Sequence, residues 1–299
     1  MKSVRLIVIA GPTASGKTRI GVELAHRLKT EIISADSRQV YRELNIGSGK
    51  DLHEYSAVDP AVPYHLIDVA DPREIYSVFH YQRDCYALLE SMAEQERPIL
   101  MVGGTGLWIE AVLKGYRIPN VPEDVEQRIE LMERDHDALI TELKKLDAEL
   151  YDRTDIHSKK RVVRAIEVAR HAAKHELITS PPPPVKIDAR VLIVDVDPDD
   201  LVTRIERRLQ QRFEEGMLDE VEALLNNGLT PARMAQLGLE YREITRFILG
   251  EKSRPEMEAD LARGIRKFAK RQRTWFRGLP RRGVVTERYD AHQIEGVDR

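Results

Sequence analysis

At 299 residues, with a formal net charge of −3 and 32% charged side chains, the chain suits one large domain or a core with a smaller second one, and its bulk composition is that of an ordinary soluble protein. Its single cysteine, Cys85, excludes an intramolecular disulfide and a cysteine-rich zinc site, and points to a reducing cytoplasm. No apolar run approaches the roughly 20 residues that cross a bilayer, and the N-terminus passes straight into a strand pattern without a signal region, so no membrane association is expected.

The first element is 4-VRLIVIA-10, a short apolar run with β-branched members that predicts a buried parallel strand. The segment 11-GPTASGKT-18 follows and fits G-x-x-x-x-G-K-[ST] at every specified position. From Lys17 to Leu28 the apolar residues Ile20, Leu24 and Leu28 recur every four positions, which predicts a helix. Strand, loop and helix thus stand in the order a phosphate-binding loop requires. Gly11 and Gly16 allow the tight turn, and the backbone through Pro12, Thr13, Ala14 and Ser15 aims N–H groups into one concavity at a helix N-terminus. Lys17 adds a point charge, and the Thr18 hydroxyl is placed to hold Mg²⁺. A di- or triphosphate is the expected ligand, and the loop does not say whose.

Three further strands are predicted at 31-EIISAD-36, 98-PILMVGG-104 and 190-RVLIVDVD-197, with helical stretches separating the first three of the four. This pattern predicts a P-loop α/β fold, a doubly wound parallel sheet with ligands at the C-terminal strand ends. Asp36, Gly103 and Gly104 lie at such ends. Asp36 has three readings: a proton acceptor or positioner for an incoming nucleophile, a turn or cap residue, or a carboxylate holding Mg²⁺ through water. Thr105, opening 103-GGTGLWIEAVLKG-115, caps a helix or touches substrate. Cys85 reads as a small core residue on a helix.

Between residues 119 and 186 the texture becomes charged and helical, bracketed by Pro119, Pro122 and the run 181-PPPP-184. It predicts a helical insertion in a catalytic core formed by residues 1–118 and 187–299. Within it, 157-HSKKRVVRAIEVAR-170 carries Lys159, Lys160, Arg161, Arg164 and Arg170 around an apolar side, for which a solvated charged face is the default reading. After the last strand, 201–228 reads as helix. In 261–288, ten basic residues face one acid, Glu287, the electrostatic footprint of a nucleic-acid surface. Leu261, Ile265, Phe268 and Phe276 are spaced to dock that helix, and Trp275 and Phe276 either pack in the core or stack on a base. A Walker B carboxylate is expected only weakly, at Asp68 or Asp195.

The ordered set GPTASGKT, SADSRQVYR, VGGTGLW, DIHSKKRVVRAIEV and KFAKRQRTWFR resembles the motifs of bacterial tRNA dimethylallyltransferases. The resemblance implies that the loop holds the leaving diphosphate of dimethylallyl diphosphate with Mg²⁺ on Thr18, without consuming ATP. It implies an acceptor, the N6 amine of adenine 37 in the tRNA anticodon stem-loop, flipped out of its stack. Asp36 then accepts the N6 proton, and Thr13 contacts the bridging oxygen. Asp36, Ser37, Arg38, Gln39 and Thr105 match adenine-side contacts, while Arg128 and the run Lys160, Arg161, Val162, Val163 and Arg164 match tRNA-gripping positions of the insertion. A monomeric cytoplasmic enzyme is expected. One departure is 233-RMAQLGLEYREI-244, where Leu239 and Glu240 intervene before Tyr241, leaving Arg233, Arg242 or neither for a substrate-binding arginine. Rival readings are a transferase acting on free adenine nucleotides, against which the insertion and the basic helix count, and a small-molecule kinase.

Overall fold

The computed structural model describes residues 2–95 and 97–290. In chain order the elements are β1 (Ser3–Ala10), α1 (Lys17–Leu28), β2 (Ile32–Ser34), β3 (Tyr64–His65), α2 (Val78–Ser91), β4 (Ile99–Gly103) and α3 (Gly106–Lys114). Next come α4 (Val125–Glu133), α5 (His136–Leu146), α6 (Ala148–Arg153) and α7 (Lys159–Ala172). The chain then forms β5 (Lys186–Asp195), α8 (Pro198–Glu214), α9 (Met217–Asn226), α10 (Pro231–Leu237), α11 (Leu239–Ile248), α12 (Arg254–Arg277) and β6 (Glu287–Asp290). Among the described residues, no helix is long and apolar enough to cross a membrane.

The chain divides into two compact units, Met1–Gly115 with Pro183–Arg299, and Tyr116–Pro182. The larger unit is an α/β fold around one sheet of order β3-β2-β4-β1-β5-β6, every pairing parallel. β1 is central, and its residues from Leu6 to Ala10 are all buried, as a strand covered on both faces must be. The four predicted strands are present with altered bounds. β5 starts at Lys186 because residues 186–189 pair with the beginning of β1. β2 is only three residues long, and the chain turns away after Ala35 donates its N–H to the Val102 carbonyl at 2.8 Å. Two strands escaped sequence reading: β3 has two residues, and β6 is short and polar at the end of the basic run.

Helix α12 begins with a capping box of Ser253 and Glu256 and a proline in the first turn. Its buried stripe runs Met257, Leu261, Ile265, Ala269, Gln272 and Phe276. Phe268, expected in that stripe, is 44% exposed, since three residues from Ile265 it turns past the packed edge. Trp275 packs instead, its ring against Gly106 and under the Arg282 guanidinium at 4.8 Å. The helical run predicted over 201–228 breaks at Gly216, whose φ of 94° ends α8 and caps α9.

The smaller unit has its own apolar core of Leu131, Leu139, Leu143, Val162 and Ile166. Aspartates at 124, 135 and 147 cap α4, α5 and α6 by accepting the N–H of Gln127, Ala138 and Leu150 at 2.8–2.9 Å. These caps cut the charged stretch 125–150 into three short helices. The unit is closed at its base where Asn120 donates to Ile178 O and Ser180 to Ile118 O, both at 2.8 Å.

Candidate active site

The phosphate loop leaves the buried end of the central strand at Gly11 and enters α1 at Lys17. Gly16 caps α1 with φ 81° and no side-chain bond, so the first N–H groups of the helix are open to a ligand. Ala14 also has a positive φ, 60°, a strain of about 1 kcal/mol that the surrounding fold holds. The Ser15 hydroxyl is buried without a partner among the described residues. Thr18 lies on the first turn of α1 and lines the cleft. Burial pulls the Lys17 ammonium down to about 8, with Arg208 adding to the shift and Asp36, Asp51 and Glu54 opposing it. Lys17 Nζ donates to the Pro12 carbonyl at 3.3 Å.

Gln272 was missed from the sequence and sits at the centre of this construction. Its Oε1 accepts the Thr13 N–H at 2.9 Å, and its Nε2 donates to the Gly104 carbonyl at 2.9 Å. It is only 7% exposed. The available signal was a polar residue standing in the apolar stripe of a helix.

Asp36 stands in the turn after β2, where its Oδ1 accepts the Arg38 N–H at 2.9 Å. The turn is fastened to the strand end beside it. Thr105 Oγ1 accepts the Ser37 N–H at 3.0 Å, and Ala35 O accepts the Thr105 N–H at 3.1 Å. Gly103 is needed there, because a Cβ would fall 2.1 Å from Ala35 O. Thr105 occupies the N-cap position of α3 but makes no side-chain cap bond; its hydroxyl serves the Ser37 turn. Arg38 reaches the Gln236 carbonyl at 2.7 Å, and Gln39 Nε2 donates to Gly49 O at 2.8 Å.

A second missed component is the loop 44–51. The Glu220 carboxylate accepts the N–H groups of Asn45, Ile46 and Gly47 at 2.7–3.0 Å and the Tyr241 hydroxyl at 2.9 Å. The same loop carries Asp51, which pairs with Arg208 of α8. The phosphate loop, the Asp36 turn, Thr105, the cleft-facing sides of α8 and α12, and the loop 47–51 line one cleft of about 1050 Å³. α8 contributes Arg204, Arg207, Arg208 and Arg212 to it, a concentration hidden in the sequence by the intervening apolar and acidic residues. Arg242 lines the cleft while bonded to Glu243 at 2.8 Å. Arg233 lies over the Tyr41 ring and is bonded to the carbonyls of Pro72 and Glu74.

Among the described residues, no group of three or more His, Cys, Asp or Glu side chains is arranged to hold a metal. Asp68 pairs with Lys50, and Asp195 lies 3.7 Å from both Arg273 and Arg288. Neither has a carboxylate free of a cationic neighbour.

In the smaller unit Lys160 and Arg161 are exposed, with Arg161 paired to Asp155 at 2.6 Å. Val162 and Val163 are buried in the unit's core and offer no side chain to a ligand, a consequence of helical periodicity within the matched run. Arg128 makes two bonds of 2.7 Å to Glu167, and Arg164 a third of 2.9 Å. Burial disfavours ionisation of Glu167, but these arginine bonds outweigh it and hold the carboxyl below its usual range.

A parallel α/β sheet with a G-x-x-x-x-G-K-T loop after its central strand, and a turn carboxylate lining the same cleft, defines a P-loop-like α/β fold. The chain belongs to the IPP transferase family, whose model matches residues 39–279, and the isopentenyl transferase family matches residues 4–57. It is 43% identical over 291 residues to tRNA dimethylallyltransferase 2 of Bacteroides fragilis, covering 97% of this chain and 94% of that protein. It is 44% identical over 292 residues to tRNA dimethylallyltransferase 1 of Geotalea daltonii, covering 98% and 91%. The solved structure of the tRNA isopentenylpyrophosphate transferase from Bacillus halodurans is 33% identical, with a TM-score of 0.67 over 96% of this chain and 89% of that one.

Proposed function

We propose that the protein is a tRNA prenyltransferase that moves a dimethylallyl group from dimethylallyl diphosphate to N6 of adenine 37, releasing diphosphate. The observation that carries this reading is the placement of Asp36 and the phosphate loop in one cleft, the Asp36 turn fastened through Thr105 and Gly103 to the strand beside the loop. That arrangement suits an allylic transfer, in which the bond from C1 to the bridging oxygen breaks while C1 to N6 forms.

Charge developing on the leaving oxygens is met by the open N–H groups of the loop and α1, by Lys17 and by the Thr13 hydroxyl. With one Asp36 oxygen occupied by the Arg38 N–H, the other is left to accept the proton that N6 loses. The donor set fits Mg²⁺, which takes a few protein oxygens and fills its shell with phosphate oxygens and water. Thr18 would hold it, and the ion when bound would offset negative charge on the diphosphate. Ser37, Arg38, Gln39 and Thr105 form the wall on the Asp36 side, where a flipped adenine would lie. Lys160 and Arg161 of the smaller unit would meet the anticodon stem-loop as phosphate contacts, with Arg128 and Arg164 holding their helix. The protein is read as a monomer.

The test is incubation with Mg²⁺, dimethylallyl diphosphate and either unmodified tRNA or AMP, followed by nucleoside mass spectrometry. Prenyl mass gain on adenosine from tRNA alone is expected. Gain on AMP alone would assign a free-nucleotide transferase, and gain on neither would return the cleft to the kinase reading.

A further inference from the structure

We propose that Arg212 is a second guanidinium ligand of the leaving diphosphate, forming with Arg208 an anion clamp on α8 opposite the phosphate loop. This rests on the functional reading above. The two arginines are one helical turn apart and both line the cleft. Arg208 already has a counter-charge in Asp51. Arg212 is different: it is only 8% exposed, yet its ion-pair partner Glu240 stands 3.9 Å away, outside hydrogen-bond reach. Among the described residues no hydrogen bond to its guanidinium is recorded, although the group carries five donors.

The position is built rather than incidental. Gly49, with φ +65°, lets the backbone lie against this guanidinium, and a Cβ there would fall 1.7 Å from its Nη2. Burial, then the charge of Arg208, hold Arg212 below its usual range, so the free protein keeps two like charges together, with the Arg212 donors turned to the cleft rather than to a protein acceptor. An anion between them relieves both conditions. The electrostatic neighbourhood favours the diphosphate over an RNA phosphate. Arg208 and Arg212 line the same cleft as Lys17 and Thr18 of the phosphate loop, so an anion held by the loop lies in the cavity that the two guanidinium groups enter. A diphosphate also has more oxygens than the loop, Lys17 and Thr18 can engage, and two guanidinium planes suit its two phosphate groups.

The test is calorimetric titration of inorganic diphosphate with Mg²⁺ into the full chain and into Arg212→Met and Glu240→Gln, with tRNA affinity and melting temperature measured in parallel. Arg212→Met should weaken diphosphate binding about tenfold or more, leave tRNA affinity unchanged, and leave the melting temperature unchanged or raised, since it removes a buried, poorly matched charge while conserving volume. Glu240→Gln should tighten diphosphate binding by freeing the guanidinium. Unchanged diphosphate affinity in Arg212→Met would overturn the inference. So would a loss confined to tRNA, which would make Arg212 an RNA contact, or a fall in melting temperature that lowers both affinities together, which would assign it to packing. If the unmutated protein itself takes up no diphosphate, the functional reading fails, a result distinct from equal binding by both forms.

Discussion

Replacing Lys17 by methionine should make the ligand-free protein more stable at neutral pH, even though it removes a residue of the site. Lys17 is held at about 8 in the folded protein, against 10.5 for an ordinary lysine. The difference corresponds to about 3 kcal/mol at 1.36 kcal/mol per unit, and solvent in the open cleft reduces this to about 1–3 kcal/mol. Between about pH 8 and 10.5 the unfolded chain binds more protons than the folded one, so the stability of the native sequence rises with pH across that window. Lys17→Met has no such proton. Its advantage should be full below about pH 8 and shrink toward zero near 10.5, appearing as a melting-temperature gap of about 2–6 °C that closes as pH rises. Differential scanning calorimetry of both forms from pH 6 to 10 without phosphate ligands measures it. A gap that is absent at pH 7, or that widens with pH, would refute the claim that burial holds this lysine in a strained charged state. The same lysine should give diphosphate binding a pH dependence absent from the variant, with relative affinity falling about tenfold per unit above pH 8 until the bound-state value is reached.

Asp36→Asn should lower single-turnover prenyl transfer about 100-fold or more while tRNA affinity stays near the original; a loss lying wholly in tRNA affinity would remove the proton-acceptor role. Glu220→Ala, which strands three loop N–H groups and the Tyr241 hydroxyl, should destabilise the protein by about 3 kcal/mol in urea titration, and a change under about 0.5 kcal/mol would show the loop holds without it. Lys160→Glu should weaken tRNA binding and reduce its salt slope by about one, measurable by filter binding at several ionic strengths. Arg128→Ala should behave differently. It leaves Glu167, 4% exposed, with one arginine fewer and should unfold the smaller unit by about 3 kcal/mol; unchanged thermal melting would contradict the network's role.

The central strand, the phosphate loop and α1 were legible because their signals are local: an apolar run, a spaced glycine pair and a four-residue repeat lie within the first 28 residues. Asp36 was legible as a candidate for the same reason, and of its three readings the Arg38 N–H bonded to its Oδ1 shows the turn role. Gln272, Glu220 and the arginines of α8 act through contacts to residues more than a hundred positions away, and no local pattern encodes such partners. The charged segment 125–150 reads as helical from its texture, and where it breaks is decided by its aspartates acting as N-caps, a matter of side-chain to backbone competition. Val162 and Val163 lay inside a matched motif yet serve the core, because a contiguous string on a helix faces in every direction.

Gln272 completes the phosphate loop from a position 259 residues further along the chain. Domains assemble from the N-terminus during synthesis, so the nascent chain makes its most recognisable motif well before the helix that completes it. Until α12 has emerged and docked, the Thr13 amide and the Gly104 carbonyl have no shared partner, and the loop is a motif without its final shape. The last hydrogen bonds of the loop therefore arrive with α12, which ties the shape of the cleft to the docking of that helix.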